Sequence, residues 1–180
     1  MRRFYSADYP PIILDIEASG FGVNSYPIEV GFADHDGSRF CSLIQPLPQW
    51  THWSDSAEAA HGISRSALAQ RGQPALQVAR ELNLRLQNRT VYSDGWVVDH
   101  PWLMTLYFAV GMQPSFQLSP IEMIMTEHQV ALWDDIHEDV IAESSEQRHR
   151  ASTDAWIIQQ TWIRSHFQAL QSSTRMRLAT

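Results

Sequence analysis

Lysine is missing altogether: all thirteen basic residues are arginine, set against twenty acidic ones, for a net charge of −7. A protein that coats long nucleic acid is usually basic. This balance argues against tight, non-specific coating and leaves room for a grip on a short end through a local patch. Cysteine occurs once, at Cys41, which rules out an internal disulfide and a thiolate zinc site. No apolar run reaches the ~20 residues that a membrane span needs. The start, Met1-Arg2-Arg3-Phe4-Tyr5-Ser6, lacks an apolar signal core, so the expected location is cytoplasmic, with no membrane partner. No repeat, low-complexity tract or linker divides the chain. The expectation is a single domain over residues 1–170, followed by a polar, frayed tail over residues 171–180.

What is present suits a folded globule. The 44% apolar share and seven tryptophans let a chain of this size bury roughly two-thirds of its unfolded surface. An apolar run leads to Glu17 and reads as a first strand. Pro27-Ile28-Glu29-Val30-Gly31-Phe32-Ala33 reads as a second and Arg39-Phe40-Cys41-Ser42-Leu43-Ile44 as a third, with Asp36-Gly37 as the turn between them. Three strands joined by short connections make an antiparallel meander. Short helices follow over residues 54–61 and 64–70, the second capped by Ser64. Leu76, Ala79, Leu82 and Leu86 place a longer helix over residues 74–87. Residues 90–93 read as a brief strand. Pro101 suits the first turn of a helix that Asp99 opens, and residues 116–118 read as a further short strand. Trp133, Ile136 and Val140 mark the buried stripe of another helix, whose opposite face, Asp134 to Asp139, is solvated. Residues 151–167 form the last long helix, with Ala155, Ile158 and Trp162 inward. The pattern is α/β: a mixed central sheet, meander plus parallel strands, flanked by helices.

Five residues stand out from this frame. Ile12-Ile13-Leu14-Asp15-Ile16-Glu17 ends in two carboxylates one residue apart, and strand side chains at i and i+2 share a face. Asp99 and Asp154 fall near element ends, and His149 lies five residues before Asp154. Carboxylates crowded together repel one another and have raised pKa values unless cations neutralise them. Oxygen donors suit Mg2+ or Mn2+, and a histidine beside them suits a general base. Taken singly, Asp99 is a helix cap, Asp154 a first-turn acid and His149 a loop histidine. Taken together they fit hydrolysis of a phosphodiester between two cations.

Leu14-Asp15-Ile16-Glu17-Ala18-Ser19-Gly20, Pro27-Ile28-Glu29-Val30-Gly31, His61-Gly62-Ile63-Ser64, Asp99-His100-Pro101-Trp102-Leu103 and His149-Arg150-Ala151-Ser152-Thr153-Asp154-Ala155 occur in that order. They resemble the successive motifs of the DEDDh 3′–5′ exonucleases, the family of the bacterial proofreading subunit and ribonuclease T. The likeness spans residues 12 to about 162. A tyrosine branch of that family places Tyr four residues before the last Asp, where this chain has Arg150; the histidine branch places His five before, where His149 stands.

The resemblance implies a ribonuclease H-like fold and two divalent cations, Mg2+ or Mn2+. It also implies cleavage at single-stranded DNA or RNA 3′ ends with release of nucleoside 5′-monophosphates. Asp15 would touch both metals, Glu17 and Asp154 would hold the one that carries the attacking water, Asp99 would support the second, and His149 would be the base. Ala18 and Ser19 would meet the terminal 3′-hydroxyl and Phe21 the end base. Beside these implied roles, Arg148 and Arg150 flank His149 and are placed to hold phosphate, with simple surface solvation as the other reading. Relatives often dimerise, so a homodimer is among the implied partners. Two departures stand beside these expectations: Ala18-Ser19 replaces the usual Thr-Thr, and Asp94 rivals Asp99 as the fourth acid. A catalytically degenerate nucleic-acid-binding or docking module on the same fold is the alternative. His61 reads as structural, His128 and His137 as bystanders, and Trp50, Trp53, Trp96 and Trp102 as core packing ahead of base stacking.

Overall fold

The apolar run before Asp15 forms β1 (Ile13–Ala18), followed by β2 (Pro27–Ala33) and β3 (Arg39–Gln45). Both pairings, β1 with β2 and β2 with β3, are antiparallel. These assignments come from a computed structural model that describes residues 5–6 and 9–178, with side chains through residue 172. The β2–β3 turn is built as Asp36-Gly37 predicts: Gly37 takes φ +82°, and Ser38 donates its N–H to Asp36 Oδ1. A two-residue strand β4 (Gln73–Pro74) lies parallel to β3, while β5 (Thr90–Ser93) and β6 (Gln117–Pro120) extend the other edge in parallel. The six-stranded order is β4-β3-β2-β1-β5-β6, the expected mixed sheet.

Helices cover both faces. Helix α1 (Asp55–His61) is capped by Ser54, and α2 (Arg65–Arg71) by Ser64, whose side chain accepts from the Ala67 N–H. Helix α3 (Ala75–Leu86) buries Ala75, Val78, Ala79, Leu82 and Leu86. Ala79, Leu82 and Leu86 face inward as expected, but Leu76 is 39% exposed, and Ala75 and Val78 complete the buried face in its place. Helices α4 (Trp96–Ala109), α5 (Glu127–Glu143) and α6 (Ala151–Leu178) complete the fold.

Helix α4 starts earlier than expected, and Asp99 does not cap it. Val98 and Asp99 both donate their N–H groups to the Gly95 carbonyl, and Trp96 Nε1 bonds the Leu118 carbonyl, which fastens the first turn to β6. Pro101 therefore sits inside the helix, where its missing N–H leaves the Val97 carbonyl without its helical donor. Val97 is exposed, so water can serve that carbonyl. Helix α6 runs past residue 167 to Leu178, because residues 168–178 contain neither Gly nor Pro to stop it. The side chains of residues 173–178, and all of residues 179–180, lie outside the description, as do residues 1–4. Among the described residues no helix is long and apolar enough to cross a membrane.

The alternation of β1 splits the core. Leu14, Ile16 and Ala18 face the larger apolar cluster beneath α3 and α4. Ile13 faces a second cluster with Ala155, Ile158 and Trp162 of α6. Asp15 and Glu17 share the face of Ile13, so both acids point to α6.

Candidate active site

The sheet register shows why this face gathers charge. Asp15 lies opposite Gly31 and Glu17 opposite Glu29, and directly opposed residues share a face. At Gly31 a β-carbon would fall 2.3 Å from the Ser152 nitrogen and 2.6 Å from the Ala151 carbonyl carbon. The bare glycine thus lets the first turn of α6 rest on the backbone of β2. That contact carries Asp154, in the same turn, up to the acids of β1.

Two bonds aim the Asp154 carboxylate. Arg148 Nε donates to Oδ1 at 2.9 Å and the His149 backbone N–H donates to Oδ2 at 2.8 Å. His149 adopts φ +59°, a left-handed turn that redirects the chain just before α6 and leaves its exposed imidazole beside the cluster. Donor atoms of Glu17, His149 and Asp154 all lie within 4.8 Å of one another. A second group lines a cleft of about 120 Å³: Asp15, Asp94, His137, Arg148 and Asp154, with Ile157 and Ile158 behind them. Asp154 belongs to both.

The electrostatics follow from crowding. Burial, then the charges of Asp99, Glu17, Asp154 and Asp94, hold the Asp15 carboxyl well above the usual range. Burial and the neighbouring Asp154 and Glu29 push Glu17 up to about 7, against the opposing pull of Arg150 and Arg148. Asp99 is also raised to about 7, chiefly by burial, with a hydrogen bond from Ser93 opposing the shift. Asp94 is raised by burial of its carboxyl end, although the residue as a whole is exposed. Such a set is stable as anions only with positive charge among them. Among the described residues, the Glu17, His149 and Asp154 donors, two carboxylates and an imidazole, are spaced to fit a divalent cation.

Asp99 is 2% exposed and accepts a hydrogen bond from the Ser93 hydroxyl. It does not line the cleft, whereas Asp94 does. Arg150 is committed inward: its Nε and Nη2 meet Glu29, with Nη2–Oε1 at 2.6 Å, and the Ala151 N–H adds a bond to Oε2 at 2.9 Å. Ser19 is 1% exposed and knotted into the frame. Its N–H donates to the Tyr26 carbonyl, its carbonyl accepts from Ser54, and its hydroxyl meets His52 Nδ1 and the Tyr26 N–H. Ala18 ends β1 beside a register shift that follows Glu17. Phe21 is 77% exposed and leans on Trp102 with ring centroids 5.8 Å apart. The loop beneath it is pinned by Trp102 Nε1 donating to Ser25 Oγ, which donates to the Gly22 carbonyl. His61 is buried and accepts the Ile63 N–H at Nδ1, a structural role.

Three residues went unrecognised as parts of the site. Glu29 is wholly buried as the partner of Arg150. His52 holds Ser19. His137 stands in the cleft although no local motif surrounds it; only the packing of α5 on α6 brings it there.

Solved structures of known proteins share this arrangement of elements. The zinc-ion-bound form of the E. coli ExoI–ssDNA complex superposes with a TM-score of 0.66 at 12% identity, over 92% of this chain and 42% of that one. E. coli exonuclease I in complex with a dT13 oligonucleotide gives 0.66 and 12%, over 96% of this chain and 44% of that one. Apo exonuclease I gives 0.62 and 10%, over 86% and 41%. The chain shares its fold with exonuclease I. At such identities the likeness shows the ribonuclease H-like α/β fold, and the chain spans about two-fifths of the length of those proteins. No family model and no curated protein matches the sequence.

Proposed function

We propose that the protein is a metal-dependent 3′–5′ exonuclease acting on single-stranded ends, with nucleoside 5′-monophosphates as products. The observation that carries this reading is the convergence of Glu17, His149 and Asp154 donor atoms within 4.8 Å on the face that also presents Asp15. The fold it shares with exonuclease I structures bound to single-stranded DNA supports the same reading.

Two divalent cations, held by Asp15, Glu17 and Asp154 with help from Asp94 or Asp99, would neutralise the phosphate and leaving-oxygen charge. The chain's own groups do the rest. His149, exposed at the mouth of the cluster, takes the proton from the attacking water, and the bond from phosphorus to the 3′-oxygen of the preceding nucleotide breaks. Phe21, held at an angle by Trp102, packs on the end base. Arg148 supplies positive charge next to Asp154 where a phosphate would approach. Ser19 fixes the turn that presents Ala18 and Phe21.

The test is a 5′-labelled single-stranded oligonucleotide incubated with Mn2+, with and without chelator. The expected result is a ladder shortening one nucleotide at a time, absent with chelator and absent in Asp154→Asn. Binding without any shortening would favour the non-catalytic docking module instead.

A further inference from the structure

A larger cleft, of about 510 Å³, lies beside the loop that carries Phe21. Asn24 and Ser25 of that loop line it, with Gln49, Trp50 and His52 from the segment after β3 and Thr105 from α4. Two hydrogen bonds tie this cleft to the proposed active site. His52 Nδ1 meets Ser19 Oγ at 3.0 Å, and Ser25 Oγ accepts from Trp102 Nε1 at 2.8 Å, the ring on which Phe21 leans. Thr105 follows Trp102 by one turn of α4. At Gly20 a β-carbon would fall 2.9 Å from His52 Cε1, so the imidazole edge rests on the backbone of the turn between Ser19 and Phe21. Among the described residues the lining includes no Arg, Asp or Glu, hence no guanidinium for a phosphate and no carboxylate for a cation. Its polar groups are neutral amides and hydroxyls. Asn24 and Gln49 are exposed, and neither amide has a hydrogen-bond partner among the described residues. Each amide sets a donor beside an acceptor, which matches the edge of a nucleobase. Trp50 supplies an aromatic wall, held in plane by its stack on the buried Tyr26, with 5.1 Å between centroids and 14° between planes.

We propose that this cleft is a subsite for one unpaired nucleobase, that of the nucleotide next to the 3′ end, with the Asn24 and Gln49 amides on its edge and Trp50 beside its face. The inference rests on the exonuclease reading, in which Phe21 packs on the end base, and adds the place of the neighbouring base. A base whose edge is bonded to protein cannot stay in a duplex, so the subsite selects ends that are unpaired beyond the last nucleotide. Stacking on an aromatic ring accepts every base, whereas the amides distinguish one edge from another. His52 is a positioning residue: it touches the cleft on one side and holds Ser19 on the other.

The test uses the full chain, Mn2+ and 5′-labelled single-stranded oligonucleotides in which one nucleotide lacks its base, either next to the 3′ end or several positions away. KM for release of the first nucleotide is expected to rise about tenfold when the base next to the end is missing, and hardly at all when the distant one is. The double variant Asn24→Ala/Gln49→Ala, its fold checked by circular dichroism, is expected to raise KM for the intact strand severalfold at little-changed kcat and to shrink the penalty for the missing base. Equal KM for the intact strand and the strand lacking the base next to its end overturns the proposal and leaves the exonuclease reading standing. So does a double variant that keeps both the wild-type KM and the full penalty. Binding without shortening removes the exonuclease reading alone; the same comparison by fluorescence anisotropy then decides the subsite, and equal affinities overturn it. A wild-type chain that neither binds nor shortens the intact strand overturns both.

Discussion

Arg150 and Glu29 form an ion pair at the foot of the site in which the Glu29 side chain is 0% exposed and that of Arg150 37%. The pair ties β2 to the first turn of α6, and its two members are not equivalent. Removing Arg150 strands a carboxylate that cannot reach water, whereas removing Glu29 leaves a guanidinium that can. Breaking a buried pair in the first way costs about 3–5 kcal/mol. Arg150→Ala is therefore expected to lower stability well beyond Glu29→Ala, measured by urea denaturation at neutral pH. Equal losses would show that Glu29 finds water or another partner.

His149 supplies two different things to Asp154's neighbourhood. Its backbone holds the carboxylate and its ring faces the solvent-accessible edge. His149→Ala keeps the backbone N–H that holds Asp154, so oligonucleotide affinity should be nearly unchanged while the cleavage rate falls by roughly 100-fold or more, the usual worth of a general base. Single-turnover cleavage compared with fluorescence-anisotropy binding separates the two. A large loss of affinity at unchanged maximal rate would remove His149 from the role of base.

The raised acids give a definite pH dependence in the absence of divalent cations. Glu17 and Asp99 titrate at about 7 when folded and at about 4 when unfolded. Between those values the folded state holds more protons, so stability falls as pH rises through the window. With chelator present, the melting temperature should be higher near pH 5 than near pH 8, after subtracting the trend of the double variant Glu17→Gln/Asp99→Asn. Adding Mn2+ should raise it most at the higher pH, where the anions need neutralising. A subtracted trend that is flat or rising from pH 5 to 8 contradicts the crowded-acid description.

Gly31→Ala tests the close approach of sheet and helix. The added methyl would meet main-chain atoms of Ala151 and Ser152 at under 3 Å, and backbone cannot swing aside as a flexible side chain does. The expected result is a loss of at least 1–3 kcal/mol from overpacking, with cleavage falling further than stability because Asp154 moves away from Asp15. Retained cleavage in a folded Gly31→Ala protein would show that α6 can shift without disturbing the acids.

Much of this was legible in the sequence because it is local. Strand alternation placed Asp15 and Glu17 on one face, Asp36-Gly37 announced its turn, and Ser54 and Ser64 sit where helix starts need side-chain acceptors. The spacing of His149 to Asp154 is confined to one turn and the start of a helix, so it could be read directly. What escaped depends on packing between distant elements. His137 lies on a helix whose own pattern shows only an apolar stripe and an acidic outer face, and nothing nearby says that α6 will turn its ring toward Asp94. Glu29 reads as one acid in a buried strand; its pairing with Arg150 needs β2 and α6 in contact. The start of α4 was misplaced because Pro101 looks like a first-turn proline, while a bond from Trp96 to β6, invisible in the local sequence, begins the helix earlier.

Asp15 and Glu17 lie far ahead of Asp154 in the chain, and α6 must dock on β1 and β2 to bring Asp154 to them. A chain still emerging from the ribosome carries the meander yet has no complete set of ligands. The carboxylate cluster is thus completed only when the closing helix lands.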